Sequence, residues 1–133
     1  MSITILSERD GKYRQRAEIA GFEDLMVDAP HIVGGEETAP DPHDYFDVAL
    51  GACKAITARM YAQRKGWPLE GVTVTVARDE REERHGVYRL DVAMRFHGDL
   101  TEEQRERLSE ISNHCPIHRL MTTSNVEITT RQE

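Results

Sequence analysis

The sequence predicts a single α+β domain over residues 1–133, and three patterns carry that prediction. Short alternating apolar runs stand near the N-terminus and again between residues 72 and 96. One long helical stretch, from about Pro42 to Lys65, separates the two groups. Two shorter helical stretches and a last strand follow. Strands gathered in clusters, instead of alternating with helices, argue for antiparallel sheets over a wound parallel one.

Ile3–Leu6 and Tyr13–Ile19 read as strands joined by a turn at Asp10-Gly11, a hairpin signal, and Leu25–Val27 adds a short third strand. His31–Pro42 reads as loop, from its Gly-Gly pair and its prolines. Asp41 can cap the long helix, Pro42 suits its first position, and Asp44 places negative charge in its first turn. Gly66 and Pro68 stop it. Val72, Val74 and Val76 alternate with threonines, and Tyr88, Leu90, Val92, Met94 and Phe96 alternate with mostly polar residues. Joined across the charged REERHG loop, they predict an antiparallel hairpin with one buried face. Thr101 opens the second helix, with Gln104 as its capping-box partner, and that helix fades near Asn113. A short helix starts at Cys115-Pro116, and Val126–Thr130 reads as a closing strand.

The long helix is apolar around most of its circumference. Asp44, Asp47, Gly51 and Lys54 alone mark a polar side near its start. A chain of 133 residues has little with which to surround such a helix, so the pattern predicts a partner subunit.

Bulk composition narrows the function. The net charge of −7 argues against a nucleic-acid or anionic-membrane partner. No segment has the run of apolar residues that a membrane helix needs. MSITILSERDGKYR lacks the layout of a secretion signal, so the expected setting is cytoplasmic. In a reducing compartment two cysteines are not expected to form a structural staple.

Those cysteines read differently. Cys53 shares a helical face with Phe46, Leu50, Ile56 and Met60, and on that ground it is a packing residue. Cys115 precedes Pro116 at a helix start, between His114 and His118, where the helix terminus and an imidazolium would each favour thiolate. A zinc site from His114, Cys115, His118 and Cys53 is a weaker reading, because no paired-ligand spacing supports it. No metal or cofactor is expected.

The run PDPHDYFDVALGACKAITARMYAQRKGWPLEGVTV, followed at a distance by CPIHRLM, resembles the OsmC/Ohr superfamily over nearly the whole chain, from Arg9–Gly11 onward. The resemblance implies an intertwined α+β homodimer, with antiparallel sheets wrapped around long central helices. It also implies a thiol-dependent peroxidase that reduces organic hydroperoxides. In that mechanism Cys53 is the attacking thiolate, Cys115 resolves it as a disulfide, and a dithiol such as a lipoylated protein is the reductant. Arg9, in the first inter-strand loop, matches an arginine that reaches the thiol across the dimer. Arg14 and Arg16 compete for that role. The hydroperoxide-reducing branch holds the arginine with a glutamate ten residues before the helix cysteine, where this chain has His43. His43 and Asp44 are therefore candidate modulators, with Glu36 and Glu37 as further substitutes for the missing carboxylate. The competing function is a dimeric OsmC-like protein that binds a hydrophobic small molecule without peroxidase activity.

Overall fold

In a computed structural model that describes all 133 residues, the chain divides into two units, Met1–Phe46 and Asp47–Glu133. The first unit is built on a three-stranded antiparallel sheet in the order β1 (Ile3–Ser7), β2 (Gln15–Ile19), β3 (Leu25–Val27). Ile5 pairs with Ala17 and Arg16 with Met26. β2 starts two residues later than its pattern predicts, and Tyr13 falls in the β1–β2 connection. Ala17 is buried, whereas Ile3 and Ile5 on β1 are exposed.

The predicted loop after β3 has internal order. Asp28 is buried, and its carboxylate accepts hydrogen bonds from the Ala29 amide, the Thr38 amide and the Thr38 hydroxyl. The Thr38 hydroxyl first, and then the two amides, hold this acid below the ordinary carboxylate range. A Cβ on Gly35 would lie 2.0 Å from the Ala29 carbonyl oxygen, so the chain can double back here only with glycine.

Helix α1 spans Pro42–Lys65, with the bounds that the sequence predicts. Asp41 Oδ1 accepts from the Asp44 amide at 2.8 Å, and Asp44 Oδ2 accepts from the Asp41 amide at 2.9 Å. This reciprocal cap satisfies two donors that a helix start leaves open.

In the second unit β4 (Leu69–Asp79) and β5 (Arg89–Gly98) form an antiparallel ribbon in which Val74 pairs with Met94 and Val76 with Val92. α2 spans Glu102–Ser112 behind the predicted Thr101–Gln104 capping box, and α3 spans Pro116–Thr122 with Cys115 as its N-cap. Ala58 and Ala62 of α1, Phe96, Leu100 and Leu108 form the core, with Tyr61, Trp67, Val72 and Met94 around it. Val126–Thr130 is not a strand here, contrary to its alternating pattern, and Val126 and Ile128 are exposed. Alternation supplies a strand's side chains, but a strand also needs an edge to pair with.

The largest departure concerns which side of α1 is covered. Asp47, Leu50, Gly51, Lys54, Ala58 and Ala62 are buried. Phe46, Ile56 and Met60, expected in the core with Cys53, are 44 %, 59 % and 54 % exposed. Asp47 and Gly51 face the sheet because each finds a place there, and Lys54 turns toward the end of α2 and the start of α3. A Cβ on Gly51 would approach Val76 Cγ2 to 3.1 Å, so the missing side chain lets the helix sit close to β4. Asp47 Oδ2 accepts from Arg78 Nε at 2.7 Å, and its Oδ1 accepts from the Tyr88 hydroxyl at 2.9 Å. A carboxylate so satisfied is tolerated under a sheet.

Candidate active site

The two cysteines, 62 positions apart in sequence, meet within the second unit, and both are free thiols. Cys53 lies in mid-α1, half-buried, and Cys115 caps α3 and is fully buried. The Cys53 side chain is near enough to act on the Cys115 thiol and raises its proton affinity. The Cys115 sulfur also accepts from the His118 amide at 3.3 Å, the geometry of an N-cap.

Burial decides the state of Cys115. It pushes the thiol's proton affinity up, the His118 amide pulls it down, the neighbouring Cys53 raises it again, and the Lys54 charge lowers it. The net shift is upward. The helix-start argument, which marks Cys115 as the more acidic thiol, therefore loses to desolvation. Cys53, which reads as packing in the sequence, is the thiol that solvent can reach.

Lys54 is a site residue that the sequence marks only as part of a polar side of the helix. Its ammonium is buried and donates to the Ser112 carbonyl at 3.2 Å, Asn113 Oδ1 at 3.3 Å and His118 Nδ1 at 3.0 Å. An ammonium can only donate, so His118 accepts through a neutral ring nitrogen. Burial, followed by the Lys54 charge and then His114, holds His118 below the ordinary histidine range. A cation on His118 Nδ1 denies that nitrogen to a metal, which works against the four-ligand zinc reading. The stripe Asp47-Gly51-Lys54-Ala58, at helical spacing, is the signal that could have revealed a covered face.

The remaining expected residues stand in the first unit. Arg9 is exposed in the β1–β2 connection and has no carboxylate within ion-pair distance. Arg16 has Glu18 and Asp24 at 4.0 and 3.8 Å, and Arg14 lends its charge to Asp28. Glu36 accepts from the Lys12 amide at 2.9 Å and so ties the glycine loop to the turn that carries Arg9. Glu37 accepts from the His31 amide at 3.0 Å. His43 is half-buried at the second position of α1, beside the Asp44 cap.

The family profile described as OsmC-like protein matches residues 34–131. The chain belongs to the OsmC-like family. Solved structures with this fold include a Psychrobacter arcticus protein named for the osmotic stress and detoxification response. It is 17 % identical, with a TM-score of 0.77 over 92 % of this chain and 89 % of that one. An organic hydroperoxide resistance protein OsmC from Legionella pneumophila is 21 % identical, with a TM-score of 0.64 over 92 % and 90 %. An organic hydroperoxide resistance protein from Elizabethkingia anophelis is 20 % identical, with a TM-score of 0.67 over 91 % and 86 %. At these identities the likeness establishes an OsmC-like fold, mixed α+β with antiparallel sheets. A comparison with curated proteins finds no match. No helix is long and apolar enough to cross a membrane.

Proposed function

We propose that this OsmC-like protein is a thiol-dependent peroxidase that reduces organic hydroperoxides as a homodimer. The observation that carries the reading is the pair of neighbouring free thiols that act on each other electrostatically, one accessible and one buried. The names of the Legionella and Elizabethkingia proteins support the substrate class.

The steps follow from that inequality. The Cys53 thiolate attacks the outer peroxide oxygen, the O–O bond breaks, and the departing alkoxide takes a proton to leave as alcohol. Cys53 is then a sulfenic acid. The Cys115 sulfur attacks the Cys53 sulfur, the S–O bond breaks, and hydroxide leaves as water with the Cys115 proton. A dithiol, of which a lipoylated protein is one, reduces the disulfide and is itself oxidised to a disulfide. Cys115 suits the second role because burial keeps it protonated and away from oxidant. In the proposed dimer Arg9 of one copy serves Cys53 of the other, stabilising thiolate and alkoxide. Its exposure and its lack of an ion pair favour it over Arg14 and Arg16. His43 and Asp44, at the helix start, are proposed modulators of that arginine. Free thiols suit a reducing, cytoplasmic setting.

Titration of thiols against cumene hydroperoxide tests the reading. Both cysteines should disappear per equivalent of oxidant. Cys53→Ser should abolish consumption, and Cys115→Ser should permit one turnover and leave a trappable sulfenate on Cys53. Thiols that survive the oxidant would sink the peroxidase and favour the small-molecule binder.

A further inference from the structure

Lys54 is a buried cation whose hydrogen-bond partners are all neutral. Its side chain is 3 % exposed, and its acceptors are a carbonyl, an amide oxygen and a neutral imidazole. No carboxylate lies within ion-pair distance of it. An ammonium removed from water is costly, and a lysine so buried is ordinarily paired with an acid. The Ser112 carbonyl that accepts from Lys54 also accepts from the Cys115 amide at 3.4 Å, and His118, whose ring accepts from Lys54, donates its amide to the Cys115 sulfur at 3.3 Å. The ammonium thus stands beside the Cys115 thiol and favours its anion. The titratable and charged groups around that thiol are Cys53 and Lys54 from α1 and His118 from α3, with His114 acting on His118.

We infer that Lys54 is the fixed counter-charge of the Cys115 thiolate, a positioning residue that acts through Cys115 when the disulfide closes and reopens. The kinetic part of this inference rests on the peroxidase reading; the electrostatic part does not. During closure, negative charge develops on the Cys115 sulfur as its proton passes toward the departing hydroxide, and the surrounding burial opposes that charge. During reopening, a reductant thiolate attacks the Cys53 sulfur and the S–S electron pair returns to Cys115 as thiolate. In both steps the ammonium offsets the cost of an anion indoors without moving. The carbonyl of Ser112, Asn113 Oδ1 and His118 Nδ1 hold it at the end of α2 and in the first turn of α3. Because His118 is neutral, the contact between the two side chains carries one positive charge and that charge stays on lysine.

The test uses the full chain in a Cys53→Ser background, where Cys115 is the one thiol. The ultraviolet absorbance of its thiolate is followed against pH for Lys54, Lys54→Gln and Lys54→Arg proteins. Glutamine keeps hydrogen-bonding capacity and loses the charge; arginine keeps the charge. The Cys115 midpoint should rise by about one unit with glutamine and return toward the starting value with arginine. An unchanged midpoint with glutamine overturns the inference. So does an equal rise in both variants, since that would be packing and not charge. In the protein with both cysteines, Lys54→Gln should slow disulfide closure about tenfold, read as a longer-lived Cys53 sulfenate, and Lys54→Arg should restore it. If hydroperoxide oxidises neither thiol in the unsubstituted chain, the peroxidase reading fails while the absorbance titration still decides the role of Lys54.

Discussion

The two faces of α1 have exchanged the roles that hydrophobicity assigns them. The covered side carries Asp47 and Gly51 under the β4–β5 ribbon and Lys54 toward the α2–α3 junction, and the face left bare carries Ile56 and Met60. Large exposed apolar side chains grouped on one face mark an interaction surface, whereas single ones are ordinary. The covered face is held by fitted contacts: a glycine against Val76, a carboxylate shared by Arg78 and Tyr88, and an ammonium with three acceptors. Ile56 and Met60 on the bare face have bulk without contacts of that kind. A helix can thus use its polar side inside its own chain and keep its apolar side for an assembly. Cys53 stands on the apolar face with Ile56 and Met60, half-buried, with Lys54 next to it in sequence on the covered side.

The sharpest way to break this comparison is to charge the bare face. Ile56→Asp with Met60→Asp should abolish the proposed dimer and its hydroperoxide activity together. Each apolar side chain of this size is worth roughly 1.5–3 kcal/mol when fully buried, and an aspartate in its place adds a desolvation cost. Sedimentation at decreasing concentration reads the result. A pair of aspartates that changed neither the mass nor the melting temperature would mean that water covers this face.

The covered face breaks in smaller steps. Asp47→Ala removes the acceptor of two hydrogen bonds, one of them to a guanidinium, in a nearly buried place. A loss of about 3 kcal/mol is expected in urea unfolding. A change of only a few tenths, as at a solvated ion pair, would show that the carboxylate is not held as described. Gly51→Val is expected to cost about 1–3 kcal/mol, because its Cβ already meets Val76 Cγ2 at 3.1 Å before the branches are added. A more stable valine variant would show that β4 yields easily and that glycine is not what sets the helix–sheet distance.

Local chemistry was legible in the sequence wherever neighbours in the chain decide the outcome. Asp41 and Asp44 at one helix start, Thr101 and Gln104 at another, and Cys115-Pro116 at a third all act within one turn. The α1 bounds and the β4–β5 ribbon follow from similarly local signals. What the pattern misjudged depends on distant residues. Lys54 is buried because Ser112, Asn113 and His118 offer acceptors some sixty positions away, and no periodicity announces an acceptor. Cys115 has the cap that favours thiolate, yet its complete burial, a tertiary property, outweighs it. Val126 and Ile128 show the same limit from the other side: their alternation is strand-like, but the chain gives them no strand to join. In the proposed dimer a second copy is the natural source of such an edge.

The smallest expected effect tests the seam between the two faces by pH alone. His118 is held below the ordinary histidine range by burial first and by the Lys54 ammonium second. The unfolded chain, with a histidine pKa near 6.5, therefore takes up a proton before the folded chain does. Where the unfolded state binds more protons, stability rises with pH, so this group withdraws stability as pH falls below about 6.5. The loss levels off once the folded protein also protonates, at which point two cations face each other across the 3.0 Å contact. Thermal melts between about pH 7.5 and pH 5 should show this limb in the unsubstituted protein. His118→Asn should lack it and run flatter, and Lys54→Gln should shrink it, because one of its two causes is gone. Other histidines contribute to any slope common to all three proteins, so the difference between the melts is the measurement. If the three curves ran parallel across that window, His118 would not be held neutral by its surroundings, and the single charge assigned to the Lys54 contact would have to be withdrawn.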